Sequence, residues 1–116
     1  MNQDLNDRLF NFAVKCLKFI KKLSNTPEYN IIRYQLAKSS TSSGANYEES
    51  QAGSSKADFS NKVRISLREM RESYYWLRII FALEENENDN ELEWLLNESA
   101  ELKKILGSIV QKTRTK

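Results

Sequence analysis

The stretch FSNKVRISLREMRESYYWLRIIF, residues 59–81, decides the fold. Phe59, Val63, Leu67, Met70, Tyr74, Leu77 and Phe81 recur at steps of 4, 4, 3, 4, 3 and 4, the spacing of one face of an α-helix. The run predicts a long amphipathic helix whose apolar face must be covered by other helices. Ile65, Trp76 and Ile80 form a second apolar strip on one flank, with Glu69 and Glu72 between them. On the other side Arg64, Arg68, Arg71 and Arg78 share an arc of about 80° with Tyr75.

Outward from this helix the same period recurs. Ser55, three residues before Asp58, reads as the cap that opens it. On its far side Glu84 to Asn90 is a polar connection, and Asn90 with Glu93 reads as the next cap. Leu92, Leu95, Leu96, Ser99, Leu102, Leu106, Ile109 and Val110 then form a buried stripe, with Gly107 a weak point and a frayed tail from Lys112. Near the N-terminus Leu5, Leu9, Phe12, Cys16, Phe19 and Leu23 make another stripe. Phe10, Val14 and Leu17 lie well away from it, and Lys15, Lys18, Lys21 and Lys22 fill the remaining arc. A helix with two apolar faces has two partners to satisfy.

The segment after Thr26-Pro27 is harder to assign. Thr26 suits an N-cap and Pro27 the first helical position, and Tyr29, Ile32 and Leu36 continue a stripe. Ser39-Ser40-Thr41-Ser42-Ser43-Gly44 follows, and local propensity favours a loop there. The alternative is a helix whose small side chains admit another backbone at close range. Gln51 to Ser55 reads as a turn.

Composition narrows the function. Among 116 residues there are one Pro, three Gly, one Cys and no His, against roughly six Pro and eight Gly at average usage. Few breakers mean few turns and long elements. Absence of His removes the commonest general base and zinc ligand, and a single Cys excludes an internal disulfide. Glu69 and Glu72 have the spacing of a di-metal half-site but lack its histidine; solvated or ion-paired carboxylates are the plainer reading. Cys16 falls on a core stripe, where it acts as a small hydrophobe. No cofactor or metal is expected, and no enzyme. No apolar run is long enough to span a membrane, and lysines interrupt the early apolar segment where a signal peptide would need continuity, so a cytoplasmic location is expected.

Net charge is only +2, but it is unevenly placed: eight acidic residues and no basic one between Glu84 and Glu101, then five basic and no acidic between Leu102 and Lys116. The Arg strip beside Tyr75, with Lys18, Lys21 and Lys22 on the first helix, is the candidate nucleic-acid surface. Its bland alternative is a solvated face paired to nearby Glu. Phe10, Val14, Leu17, Ile65, Trp76 and Ile80 are the candidates for contact between subunits.

Gln35-Leu36, the small-residue run, Asn46-Tyr47-Glu48-Glu49, Phe59-Ser60-Asn61-Lys62 and Glu69-Met70-Arg71-Glu72-Ser73-Tyr74-Tyr75-Trp76-Leu77 together resemble the four-helix-bundle family of 23S rRNA intervening-sequence proteins, across roughly residues 5–110. The chain is similar, too, to the accessory variability proteins of diversity-generating retroelements, which form basic pentameric barrels and work with a reverse transcriptase and RNA. The family's motif residues fall at Ser40, Ser43, Asn46, Glu49, Phe59, Glu69, Glu72 and Trp76. The resemblance implies a helical serine run, a homopentamer and no catalytic activity. The expected fold is all-α: a single domain over 1–116, an antiparallel up-down-up-down four-helix bundle with helices near 3–24, 27–52, 56–85 and 90–111, assembling as a ring-like oligomer. The expected partners are further copies of itself and structured RNA or an RNA-handling protein, with no membrane; the rival reading is a protein-interaction scaffold without direct nucleic-acid binding.

Overall fold

The computed structural model describes residues 4–53, 55–84 and 89–114. These form a four-helix bundle of α1 (Leu5–Ile20), α2 (Pro27–Ser50), α3 (Lys56–Leu83) and α4 (Asn90–Arg114), with no strand among the described residues. At 1.5 Å per residue α3 rises about 42 Å, close to the 46 Å long axis of the molecule. No described helix is long and apolar enough to cross a membrane.

Each helix starts where a side chain takes up free N–H groups. The Thr26 hydroxyl accepts from the Tyr29 N–H at 3.2 Å, and Ser55 from Asp58 at 3.1 Å. At α4 the cap is Asp89, whose carboxylate accepts from the N–H groups of Glu91 at 3.0 Å and Leu92 at 3.1 Å. Asn90, the cap expected from sequence, is already the first helical residue. α1 stops at Ile20 rather than near residue 24, the chain tightening through Lys22 N–H to Phe19 O and Leu23 N–H to Ile20 O. α4 continues through Arg114, beyond the expected end at 111, and Thr113 donates back to Val110 O at 2.7 Å.

Residues 39–44, read locally as a loop, are helical within α2. Tertiary contact overrides their weak propensity. Ser43 Oγ donates to Ser66 O at 2.8 Å, Ser66 Oγ donates to Ser43 O at 2.7 Å, and the Ser39 and Ser73 hydroxyls meet at 2.7 Å. All four serines are buried, and each hydroxyl is satisfied across the seam. Side chains this short let α2 and α3 approach closely. The ladder also rotates α3 toward α2. Val63, Leu67, Met70 and Leu77 enter the core as expected, but the face extends through Ser66 and Ser73 to Ile80, which has 0% exposure. Phe81, expected inside, is 56% exposed. Ile80 is therefore core and not a surface for a neighbouring subunit.

Leu9, Phe12, Cys16 and Phe19 of α1, Ile32 and Leu36 of α2, and Leu92, Leu95, Leu102, Leu106 and Val110 of α4 complete the core. The Cys16 thiol is pushed up to about 12 by burial, against a smaller opposing hydrogen bond from Ser40. It is packing, not a nucleophile.

Candidate nucleic-acid interface

Near the end where Ser60 meets Thr113, α3 and α4 line a groove of about 790 Å³. Its floor is apolar, from Ile65, Leu67 and Val110, and Gly107 leaves it unobstructed: a Cβ built there meets nothing within 4 Å. Its walls carry Lys62, Arg64, Arg68 and Arg71 from α3 and Arg114 from α4, against one carboxylate, Asp58. Arg64, Arg68 and Arg71 recur at helical spacing over about 10 Å of rise.

The guanidinium groups are nearly free of carboxylates. Among the described residues Arg68 stands 3.7 Å from Glu69, and Arg64 makes a long contact of 3.5 Å with Asn61 Oδ1. The reading of this face as one neutralised by neighbouring Glu is thus met only at Arg68. Glu69 itself is held above the usual carboxylate range, first by burial and then by repulsion from Glu72.

The other expected site residues divide. Tyr75 is 53% exposed beyond the groove, its ring edge-on to Trp76 at 5.3 Å. Arg78 leans to the Tyr74 ring at 5.8 Å, and Lys103 of α4 covers the same ring at 4.3 Å. Lys18, Lys21 and Lys22 do not join the Arg row: Lys22 pairs with Glu91, and Lys18 lines a separate cavity between α1 and α4. Lys62 and Arg114 were not singled out. Lys62 follows the apolar stripe without periodic signal, and Arg114 reaches the groove only because α4 continues past its expected end.

The candidates for subunit contact divide too. Phe10, Val14 and Leu17 line an apolar groove of about 280 Å³ against Ala13, Gly44 and Ala45, with Phe10 65% and Leu17 38% exposed. Ile65 lies in the basic groove, and Trp76 is half-buried against the core. Of the motif residues, Ser40 and Ser43 are buried, Asn46 donates to Ser42 O at 2.9 Å, and Phe59 packs on the core. Glu49 and Glu72 are exposed.

Fold and groove together define a small four-helix bundle with a cationic cleft along one helix pair. The chain belongs to the 23S rRNA-intervening sequence protein family, whose model matches residues 2–108. It is similar to a crystal structure of a protein with unknown function from the S23 ribosomal protein family of Bacteroides thetaiotaomicron. The two share 34% identity with a TM-score of 0.80, over 92% of this chain and 98% of that one. No curated protein matches it at a significant level.

Proposed function

We propose that this protein is a non-enzymatic, cytoplasmic RNA-associated bundle that binds the phosphate backbone in the α3/α4 groove. The observation that carries this reading is the cluster of Lys62, Arg64, Arg68, Arg71 and Arg114 facing a single Asp58. Cations aligned in a cleft neutralise phosphates and release counterions, which gives affinity without requiring a high net charge on the whole molecule. The family's intervening-sequence description supports RNA as the polyanion.

The chain runs up-down-up-down, a reading supported by the opposite order of its pairings: Ser39 with Ser73, then Ser43 with Ser66. The exposed Phe10/Leu17 groove favours self-association into a ring, expected to be a pentamer, which would multiply the basic grooves. That same apolar face also favours the second reading, a scaffold for a protein partner.

Fluorescence anisotropy of a labelled structured RNA against salt tests the proposal. Five cations contacting backbone phosphates give a log–log salt slope of roughly −3.5 to −4.5. Arg64→Ala, Arg68→Ala and Arg71→Ala together flatten it by about two. No binding at low salt, or a slope untouched by the triple change, overturns it.

A further inference from the structure

The seam between α1 and α4 holds a second cavity of about 400 Å³, lined by Lys15, Lys18, Asn90, Glu91, Trp94 and Leu95. Ion pairs bracket it. On one side Arg8 grips Glu98 at 2.8 Å and Glu101 at 2.9 Å; on the other Lys22 pairs with Glu91. These clamps tie the outer edges of the two helices together, over the apolar core beneath. Trp94, at its centre, is left 39% exposed, and the Lys15 ammonium lies 4.6 Å from its ring centroid.

We propose that this cavity binds a nucleotide, with the planar base stacked on Trp94 and the phosphate held by Lys15 and Lys18. An indole face that gathers an ammonium is electron-rich and reachable from solvent. Stacking of a base on Trp is stronger than an exposed cation–π contact, so the base displaces Lys15 from the ring and the flexible ammonium moves to the phosphate. Lys18 follows Lys15 by three residues, on the same side of α1. Neither lysine has a carboxylate partner among the described residues. Of the acids nearby, Glu91, itself at the cavity wall, pairs with Lys22, and Asp89 accepts from two N–H groups of α4. Asn90 offers both a donor and an acceptor at the rim for a base edge. The volume falls within the ~300–1,000 Å³ of small-molecule sites.

The cavity is separate from the basic groove. Trp94 and Val110 are about 24 Å apart along α4, on sides facing α1 and α3 respectively. The site therefore stands whether or not the α3/α4 groove takes RNA. Base and phosphate reach it either as a free nucleotide or as one residue of a single strand.

The Trp76→Phe protein, with Trp94 as its sole tryptophan, is titrated with AMP, with adenosine and with a short single-stranded RNA while indole emission is followed. Saturable quenching by AMP or by the strand is expected, at a Kd of about 1 mM or tighter for AMP. If AMP binds as well as the strand, free nucleotide is the source; quenching by the strand alone assigns a base within RNA. Adenosine, lacking the phosphate, binds at least roughly fivefold more weakly, as does AMP to the Lys15→Ala/Lys18→Ala protein. The Arg64→Ala/Arg68→Ala/Arg71→Ala change leaves AMP quenching within about twofold. Absence of saturable quenching by both AMP and RNA overturns the proposal, and so does quenching that ignores loss of both lysines. Failure in the lysine variants alone marks this site; failure in the arginine variants alone marks the groove.

Discussion

Replacement of Gly107 by Ala isolates a single term in the stability of α4. Gly107 lies within α4, away from both ends, and an added methyl meets no atom within 4 Å. Neither clash nor new packing contributes, so the change reports helix propensity alone, a gain of about 0.8–1 kcal/mol. For a domain of this length that is roughly 3–6 °C in Tm. Gly44 supplies the control. A Cβ there comes 3.4 Å from Leu9 Cβ and 3.6 Å from the Leu9 carbonyl, so the new atom lands against α1. Glutamine at the two positions separates the effects further. Gly107→Gln has open groove to occupy and retains part of the propensity gain, about 0.5 kcal/mol. Gly44→Gln forces α1 from α2 and loses about 1–3 kcal/mol. Urea unfolding followed by far-ultraviolet circular dichroism measures all three at several protein concentrations, because association raises apparent stability. Gly107→Ala destabilising the protein refutes the reasoning, since it means the groove floor is covered in solution. Gly44→Gln matching Gly107→Gln refutes the close approach of α1 to α2.

Other substitutions address the seams and the buried carboxylate. Ser43→Ala and Ser66→Ala remove reciprocal hydrogen bonds, each costing about 1 kcal/mol; a double-mutant cycle in urea finds them coupled, whereas strict additivity contradicts the ladder. Arg8→Ala leaves Glu98, with a side chain only 14% exposed, without its partner, and the unfolding midpoint falls by the equivalent of about 1.5–3 kcal/mol. Glu69 is raised above the ordinary carboxylate range by burial and Glu72, so the native state disfavours its ionisation. Its cost to stability is absent below the ordinary Glu pKa, grows as pH rises from there, and is complete above the raised one. Glu69→Gln is therefore more stable than the natural protein at neutral pH, and the advantage disappears in acid; an advantage that persists unchanged at low pH rejects this assignment.

Much of the molecule follows from covalent order. Helix spacing in Phe59–Phe81 and in Leu5–Leu23 is a property of the chain, and so are Thr26, Ser55 and the scarcity of Pro and Gly. They specify helices with apolar faces, and two of the four caps, Thr26 and Ser55, were readable from sequence alone. Resemblance supplied the rest of α2, where Ser39–Gly44 has too little intrinsic preference to declare itself. Sequence also placed Arg64, Arg68 and Arg71 on one face, because that arc is fixed by the residue angle.

Tertiary packing decided what spacing leaves open. Periodicity says which residues share a face, but how far that face turns depends on how closely the neighbour approaches. The Ser43–Ser66 and Ser39–Ser73 contacts drew α2 against α3, turning Ile80 inward and Phe81 outward. Residues from separate helices become one site only after packing. Arg114 and Gly107 came to the Arg row through α4, while Trp94 met Lys15 and Lys18 across a seam closed by ion pairs at its ends. A linear pattern holds no distance between helices, and it is that distance which made one cationic groove and left one tryptophan face open.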